Sequence, residues 1–305
     1  MSYKIAFFRI IVTILMLSSP DCSSDQLVEN HVEIKELLEL DSDSLENFFK
    51  IGQYHEGLFS AGRSNSNNAA IFWYEKIKDK DGGLSYNALG LLYIAGNGVE
   101  QDAKIAVDYF RKGAVLGNRE AQYNLGLRYD QGSGIEPNKV KAYEWYLKAA
   151  KQGLNVAQKA VGDMHFLGVG TKKSRKDALN WYLKAAQENN LPSMYNLGAF
   201  YLKDNSTKNE GLKWLEIAAK KGHAKSNFLL GIYFRQKGIN DRAFKYMFNA
   251  ASLGHGDAFN NLGIYYYQGI GTEVSIPKSR NSFNIALGLG VTEAKDNLEI
   301  FPQNK

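Results

Sequence analysis

A Leu-Gly or Val-Gly pair recurs along this chain at Leu89-Gly90, Leu125-Gly126, Val161-Gly162, Leu197-Gly198, Leu230-Gly231 and Leu262-Gly263, with glycine spacings of 36, 36, 36, 33 and 32 residues. A period of that length means stacked supersecondary units, none of which can bury its own apolar face alone. The columns around each glycine define the unit. Five residues before it stands a small residue (Ser85, Ala121, Ala157, Ser193, Ser226, Ala258), and three after it a ring (Tyr93, Tyr129, His165, Tyr201, Phe234, Tyr266). Positions −5, −1 and +3 are four apart and share one stripe of an α-helix.

A second helix follows in each unit. It carries a small residue, then aromatics three and four later, then a pair of small residues. Examples are Ala142, Trp145-Tyr146, Ala149-Ala150 and Ala178, Trp181-Tyr182, Ala185-Ala186. Large rings set against alanines allow two helices to pack closely. A mid-helix glycine costs about 1 kcal/mol relative to alanine, so its recurrence implies a steric cause, most simply a neighbouring helix crossing there. The turns Gly96-Asn97-Gly98, Gly132-Ser133-Gly134, Gly168-Val169-Gly170 and Gly269-Ile270-Gly271 follow helices rather than strands. They are therefore helix ends and not phosphate loops. Pro137 falls in a turn and Pro192 and Pro277 at helix openings, where proline is tolerated.

These residues resemble the Sel-1-like repeat family, a relative of the tetratricopeptide repeat. Its pattern is a small residue, Leu-Gly-x-x-Tyr, Gly-x-Gly with an aliphatic, then Ala-x-x-Trp-Tyr-x-x-Ala-Ala, and Glu120 to Ala150 follows it almost throughout. The expected fold is all-α, a right-handed α-solenoid of antiparallel helix hairpins. The expected divisions are a signal peptide (1–24), an acidic leader (25–44), a degenerate N-terminal repeat or cap (45–82), and repeats at 83–118, 119–154, 155–190, 191–223, 224–255 and 256–291. A cap helix and tail (292–305) close the chain. The units opening at Ser193 and Ser226 depart from the pattern, for they lack the Gly-x-Gly turn.

Lys4 and Arg9, the apolar run Ile10 to Leu17 and the small residues after it have the three parts of an export signal, with cleavage expected near Ser24. The run is shorter than the roughly 20 apolar residues of a membrane span. Lipidation at Cys22 is the one route to a membrane, and Ser19 and Asp21 fit its motif poorly. A periplasmic or secreted protein is expected. Residues 25–50 hold eight acids against two lysines, net −6, whereas 51–305 hold 33 bases and 23 acids, net +10. The leader either docks on the basic repeats or is simply solvated. A total of +5 is too mild to imply nucleic acid, and none is expected as a partner; an acidic partner stays open.

Signs of chemistry are few. The chain has a single cysteine, no HExxH pair, and no grouping that suggests a metal or a cofactor; none is expected. His223 and His255 each follow a glycine at an inter-repeat turn, where Asn118 stands elsewhere, and a turn or cap role is expected. Ser275-Ile276-Pro277-Lys278 is formally SxxK, but the companion SDN and KTG motifs are absent, and the serine is expected to cap a helix.

The chain is accordingly read as a non-enzymatic scaffold that binds a protein or peptide in the concave groove lined by its first helices. The columns two before and two after each glycine lie off the core stripe. Asn124, Asn196 and Asn261 are candidates there to bond a partner's backbone, with Arg128, Phe200, Tyr233 and Tyr265 as anchors. The alternative is that the asparagines satisfy a neighbouring repeat. The resemblance implies adaptor roles in complex assembly. The alternative it implies is a periplasmic inhibitor of a secreted toxic enzyme such as a phospholipase, and the second alternative, from some cysteine-rich relatives, a β-lactam or cell-wall hydrolase or binder.

Overall fold

The structure, a computed structural model, describes residues 49–50, 52–53 and 66–300 of the 305-residue chain. The expected export signal, Cys22 and the expected acidic leader lie outside the described residues. Fourteen helices run from Ser66 to Ile300, and no strand is present among the described residues. They are α1 (Ser66–Ile77), α2 (Leu84–Ala95), α3 (Ala103–Val115), α4 (Arg119–Gln131), α5 (Lys139–Lys151), α6 (Asn155–Leu167) and α7 (Arg175–Gln187). There follow α8 (Leu191–Tyr201), α9 (Lys208–Lys220), α10 (Ala224–Gln236), α11 (Asn240–Ser252), α12 (Gly256–Gln268), α13 (Ile276–Gly288) and α14 (Glu293–Ile300). Consecutive pairs from α2–α3 to α12–α13 form the expected hairpins. Two compact units result, one reaching Ala157 and including Leu167–Lys173, the other made of Gln158–Phe166 and the residues from Ser174 onward.

Local chemistry sets the helix ends. Asp102, Asn118, Asn138, Ser174, Asn190 and His223 occupy N-caps, and each side chain accepts from a backbone N–H of the first turn. These bonds satisfy donors that the helix itself leaves unpaired. The first glycine of the Gly-x-Gly turns caps α2, α4 and α12 in the left-handed region, at Gly96, Gly132 and Gly269. Pro192 and Pro277 stand at the openings of α8 and α13.

The core stripe lies where the periodicity places it. The −5 residues and the aliphatic partners of the glycines are buried in all six units. The glycine itself is explained by the second helix of its own hairpin. A Cβ on Gly90, Gly126 or Gly162 would come within 2.5–2.7 Å of the ring of Phe110, Tyr146 or Tyr182. Where the ring gives way to Leu215, a Cβ on Gly198 would lie 2.6 Å from Leu215 Cγ and 2.9 Å from the Gly211 carbonyl oxygen. Alanine has no room at Gly90, Gly126, Gly162, Gly198 and Gly263, which outweighs its higher helix propensity. At Gly231, by contrast, the nearest atom is the flexible end of Met247, at 3.0 Å.

The worn N-terminal unit follows the same rule. A Cβ on Gly52 would overlap the ring of Tyr74 in α1, and the Phe49 ring lies 5.4 Å from that ring. Phe49 and Gly52 both fall within 45–82, the segment expected to be a degenerate N-terminal repeat or cap. At the other end α14 packs on α13, and Asn297 Nδ2 donates to Asn260 Oδ1 of α12 at 2.8 Å.

Candidate functional site

The candidate residues stand in the −2 and +2 columns of the first helices, and each compact unit is taken by itself. In the first unit, Asn124 on α4 donates from Nδ2 to Oδ1 of Asn87 on α2 at 2.7 Å. The amide therefore ties two successive repeats together. Arg128, one turn later, is half-buried; Nη1 reaches Ser133 Oγ at 3.3 Å, while Nε is buried with no hydrogen-bond partner. Burial lowers the guanidinium pKa and the nearby Tyr146 opposes that shift. Arginine stays charged regardless, so the site holds a cation short of partners.

In the second unit Asn196 is hydrogen-bonded to the Tyr182 hydroxyl. That hydroxyl donates to Asp163 Oδ1 at 2.8 Å, and Lys159 Nζ reaches Asp163 Oδ2 at 2.5 Å. Burial first, then the Asp163 charge and hydrogen bond, push the Tyr182 phenol well above its ordinary range, against the Asn196 bond. Asn261 donates to the Asp257 carbonyl of its own helix at 2.8 Å. The three asparagines thus do not form a row of free amides. Each has a different partner within the chain.

Of the ring anchors, Phe200 and Tyr233 are half-buried and set edge-on to Tyr201 and Phe234. Tyr265 corrects the expectation. It is only 3% exposed, with its hydroxyl buried and unpartnered, because it belongs to the core around Leu262 and Ile270. Ala88, Leu92 and Met164 in the same columns are buried as well. The spacing could not show Asn87 and Asn260 as partners, although both stand three residues before the repeat glycine and 37 before the asparagine that each accepts from.

The remaining candidates take structural places. His223 Nδ1 accepts from the Ser226 backbone N–H at 3.3 Å, as a cap should. His255 occupies the N-cap of α12 without a side-chain cap bond, its ring stacked 4.4 Å from that of Phe228. Ser275 is the N-cap residue of α13, likewise without a side-chain cap bond, and Lys278 Nζ lies 5.6 Å from the Tyr266 ring centroid. Among the described residues no three His, Cys, Asp or Glu side chains gather as metal ligands would.

The Sel1 repeat matches residues 49–81, 83–118, 119–154, 155–190, 191–223, 224–255 and 257–281, more than half of the chain. The chain belongs to the Sel1 repeat family. A Sel1 repeat protein from Oxalobacter formigenes is similar at 30% identity, with a TM-score of 0.66, over 77% of this chain and 96% of that one. A protective antigen present in uropathogenic Escherichia coli strains and displaying the same fold is 22% identical, with a TM-score of 0.52, over 87% of this chain and 66% of that one. An immunity protein from Pseudomonas aeruginosa is more distant, at 19% identity and a TM-score of 0.48, over 74% of this chain and 89% of that one. No curated protein matches the chain. As a Sel1 repeat protein it buries the same core stripe in each of its six hairpins.

Proposed function

We propose that this Sel1 repeat chain is a non-enzymatic, exported scaffold that binds a protein partner through side chains in the −2 and +2 columns of its first helices. The observation that carries this reading is Arg128. A half-buried guanidinium with a buried, unpartnered Nε and one long bond to Ser133 is poorly satisfied in the free protein. A carboxylate from a partner would pair with the terminal nitrogens, the buried Nε being out of its reach, in the charge-assisted hydrogen bonding for which arginine is suited. Phe200 and Tyr233 offer half-buried rings in the same column, the side chains that dominate binding in protein interfaces.

The test is affinity capture with the purified chain, beside a variant carrying Arg128→Ala, Phe200→Ala and Tyr233→Ala. Loss of the captured protein at unchanged helicity supports the reading; undiminished capture by the variant overturns it. Recovery of one secreted enzyme in place of several assembly partners would replace the adaptor role with an inhibitor role. Export is read separately, from the N-terminus of protein recovered outside the cytoplasm: a start after Ser24 supports it, and an intact Met1 to Ser24 segment overturns it.

A further inference from the structure

A crevice of about 260 Å³ opens in the second unit, below the roughly 300 Å³ at which small-molecule sites begin. Leu202, after α8, and Lys208, opening α9, form one wall; Leu229, Ile232 and Tyr233 along α10, with Lys237 just after it, form the other.

The corresponding place is filled in hairpins that have a Gly-x-Gly turn. In the α12–α13 hairpin Ile270 of that turn is 6% exposed and packed in the core with Phe234, Ala243 and Tyr265. A Cβ on Gly271 would collide with the carbonyl oxygen of Asn240, the first residue of α11, so the turn rests on the start of the preceding hairpin's second helix. The α4–α5 hairpin repeats the arrangement. Gly134 rests on the Ala103 carbonyl at the start of α3, and Ile135 packs against the core containing Ala106 and Phe110. Ala103, Lys208 and Asn240 are equivalent, each three residues before the small residue of a second helix. The α10–α11 hairpin has no such turn. Gly231 and Ala243 are 12 residues apart, where Gly263 and Ser279 are 16 apart. The one turn glycine of α10–α11, Gly238, rests on nothing, and Ile239 is left 45% exposed. The crevice is the shape of a missing aliphatic turn.

Its rim is cationic. Lys208 Nζ donates to Asn205 Oδ1 at 2.5 Å and keeps further donors, and Lys237 is exposed. Thr207, at the N-cap of α9, makes no side-chain cap bond; its hydroxyl donates to the Tyr201 carbonyl instead. The Asp204 carboxylate is tied down by the Ser206 N–H and hydroxyl, and the Glu210 charge acts on Tyr201.

We propose that this crevice takes an aliphatic side chain of a protein partner, with a neighbouring carboxylate of the same segment held by Lys208 and Lys237. The inference rests on the reading of the chain as a protein binder and names the chemistry of the segment bound. It is tested by panning a displayed library of random peptides on the full chain. Enriched peptides should carry Ile, Leu or Val beside Asp or Glu. A synthetic copy should bind about tenfold more weakly to a Lys208→Glu, Lys237→Glu chain. It should bind as weakly to a chain whose residues 236–239 are replaced by the sequence of residues 268–275, which restores the turn; circular dichroism confirms that this graft stays helical. No enrichment, a different motif, or full binding to the helical graft overturns the proposal. Because Arg128→Ala leaves the crevice intact, peptide binding that survives it separates this site from the wider reading. Successful panning, with protein capture undiminished by Arg128→Ala and Phe200→Ala, sinks only the wider reading; capture lost in that variant, with no enrichment on panning, sinks only this one.

Discussion

The ring of Tyr146 occupies the space into which a side chain on residue 126 would grow, its Cδ1 only 2.7 Å from where a Cβ on Gly126 would stand. The ring is rigid and buried. Gly126→Ala should therefore destabilise by about 1–3 kcal/mol through overpacking, despite alanine's helix propensity. At Gly231 the nearest atom is the flexible end of Met247, at 3.0 Å, so Gly231→Ala should cost less. Chemical denaturation of the two variants measures the difference, and equal losses would contradict the ring-against-glycine account.

Turn glycines separate backbone strain from collision. Gly238 (φ 71°) has open space around its missing Cβ, whereas Gly271 (φ 63°) would meet Asn240. Gly238→Ala should lose only the cost of a left-handed alanine, about 1–2 kcal/mol. Gly271→Ala should lose clearly more, with Ile270 becoming more exposed. Thermal melts of both variants provide the comparison.

Asn124 and Asn87 should be energetically coupled. Either alanine substitution removes an inter-repeat hydrogen bond worth about 1 kcal/mol. The double variant should then lose less than the sum of the singles, a result that a double-mutant cycle reads directly. Strict additivity would mean that the 2.7 Å contact contributes nothing.

Arg128→Met should leave stability unchanged or raise it slightly, since it removes a half-buried charge that has few partners. Its effect belongs in partner binding. A large loss of stability in urea would show instead that the guanidinium holds the repeat together.

His223 and His255 are both held below the ordinary value of 6.5. Burial is the main cause in each. The Lys225 charge adds to it, while Asp257 opposes it at His255. The unfolded chain therefore binds protons before the folded one does. Their contribution to stability is whole above pH 6.5 and is lost as pH falls from there toward the depressed folded values. A His223→Asn, His255→Asn chain keeps the cap chemistry seen at Asn118 and Asn190. It should lose less stability than the wild type between about pH 7 and about pH 5. Parallel slopes for the two chains would contradict the shifts.

Much of the architecture was legible without coordinates. Ser85, Leu89 and Tyr93 share a stripe because they are four apart, and Gly90 predicts the crossing of Phe110 because the two belong to one hairpin. The caps at Asn118 and His223 follow from residue type and position. Gly52 was less visible, since its unit lacks most of the columns, and only its fit against Tyr74 identifies it.

The amino-acid sequence by itself determined the helix hairpins, their core stripe and the glycine at each crossing, because these depend on periodicity and on partners close along the chain. Which members of one column face solvent was decided only by the tertiary structure. Tyr233 and Tyr265 hold the same place in their repeats, yet a turn carrying Ile270 packs with Tyr265, and the shorter α10–α11 connection leaves Tyr233 lining a crevice. Asn124, Asn196 and Asn261 likewise share a column and find three different partners. Exposure and pairing depend on what the neighbouring repeat presents, and spacing within a single repeat does not encode that.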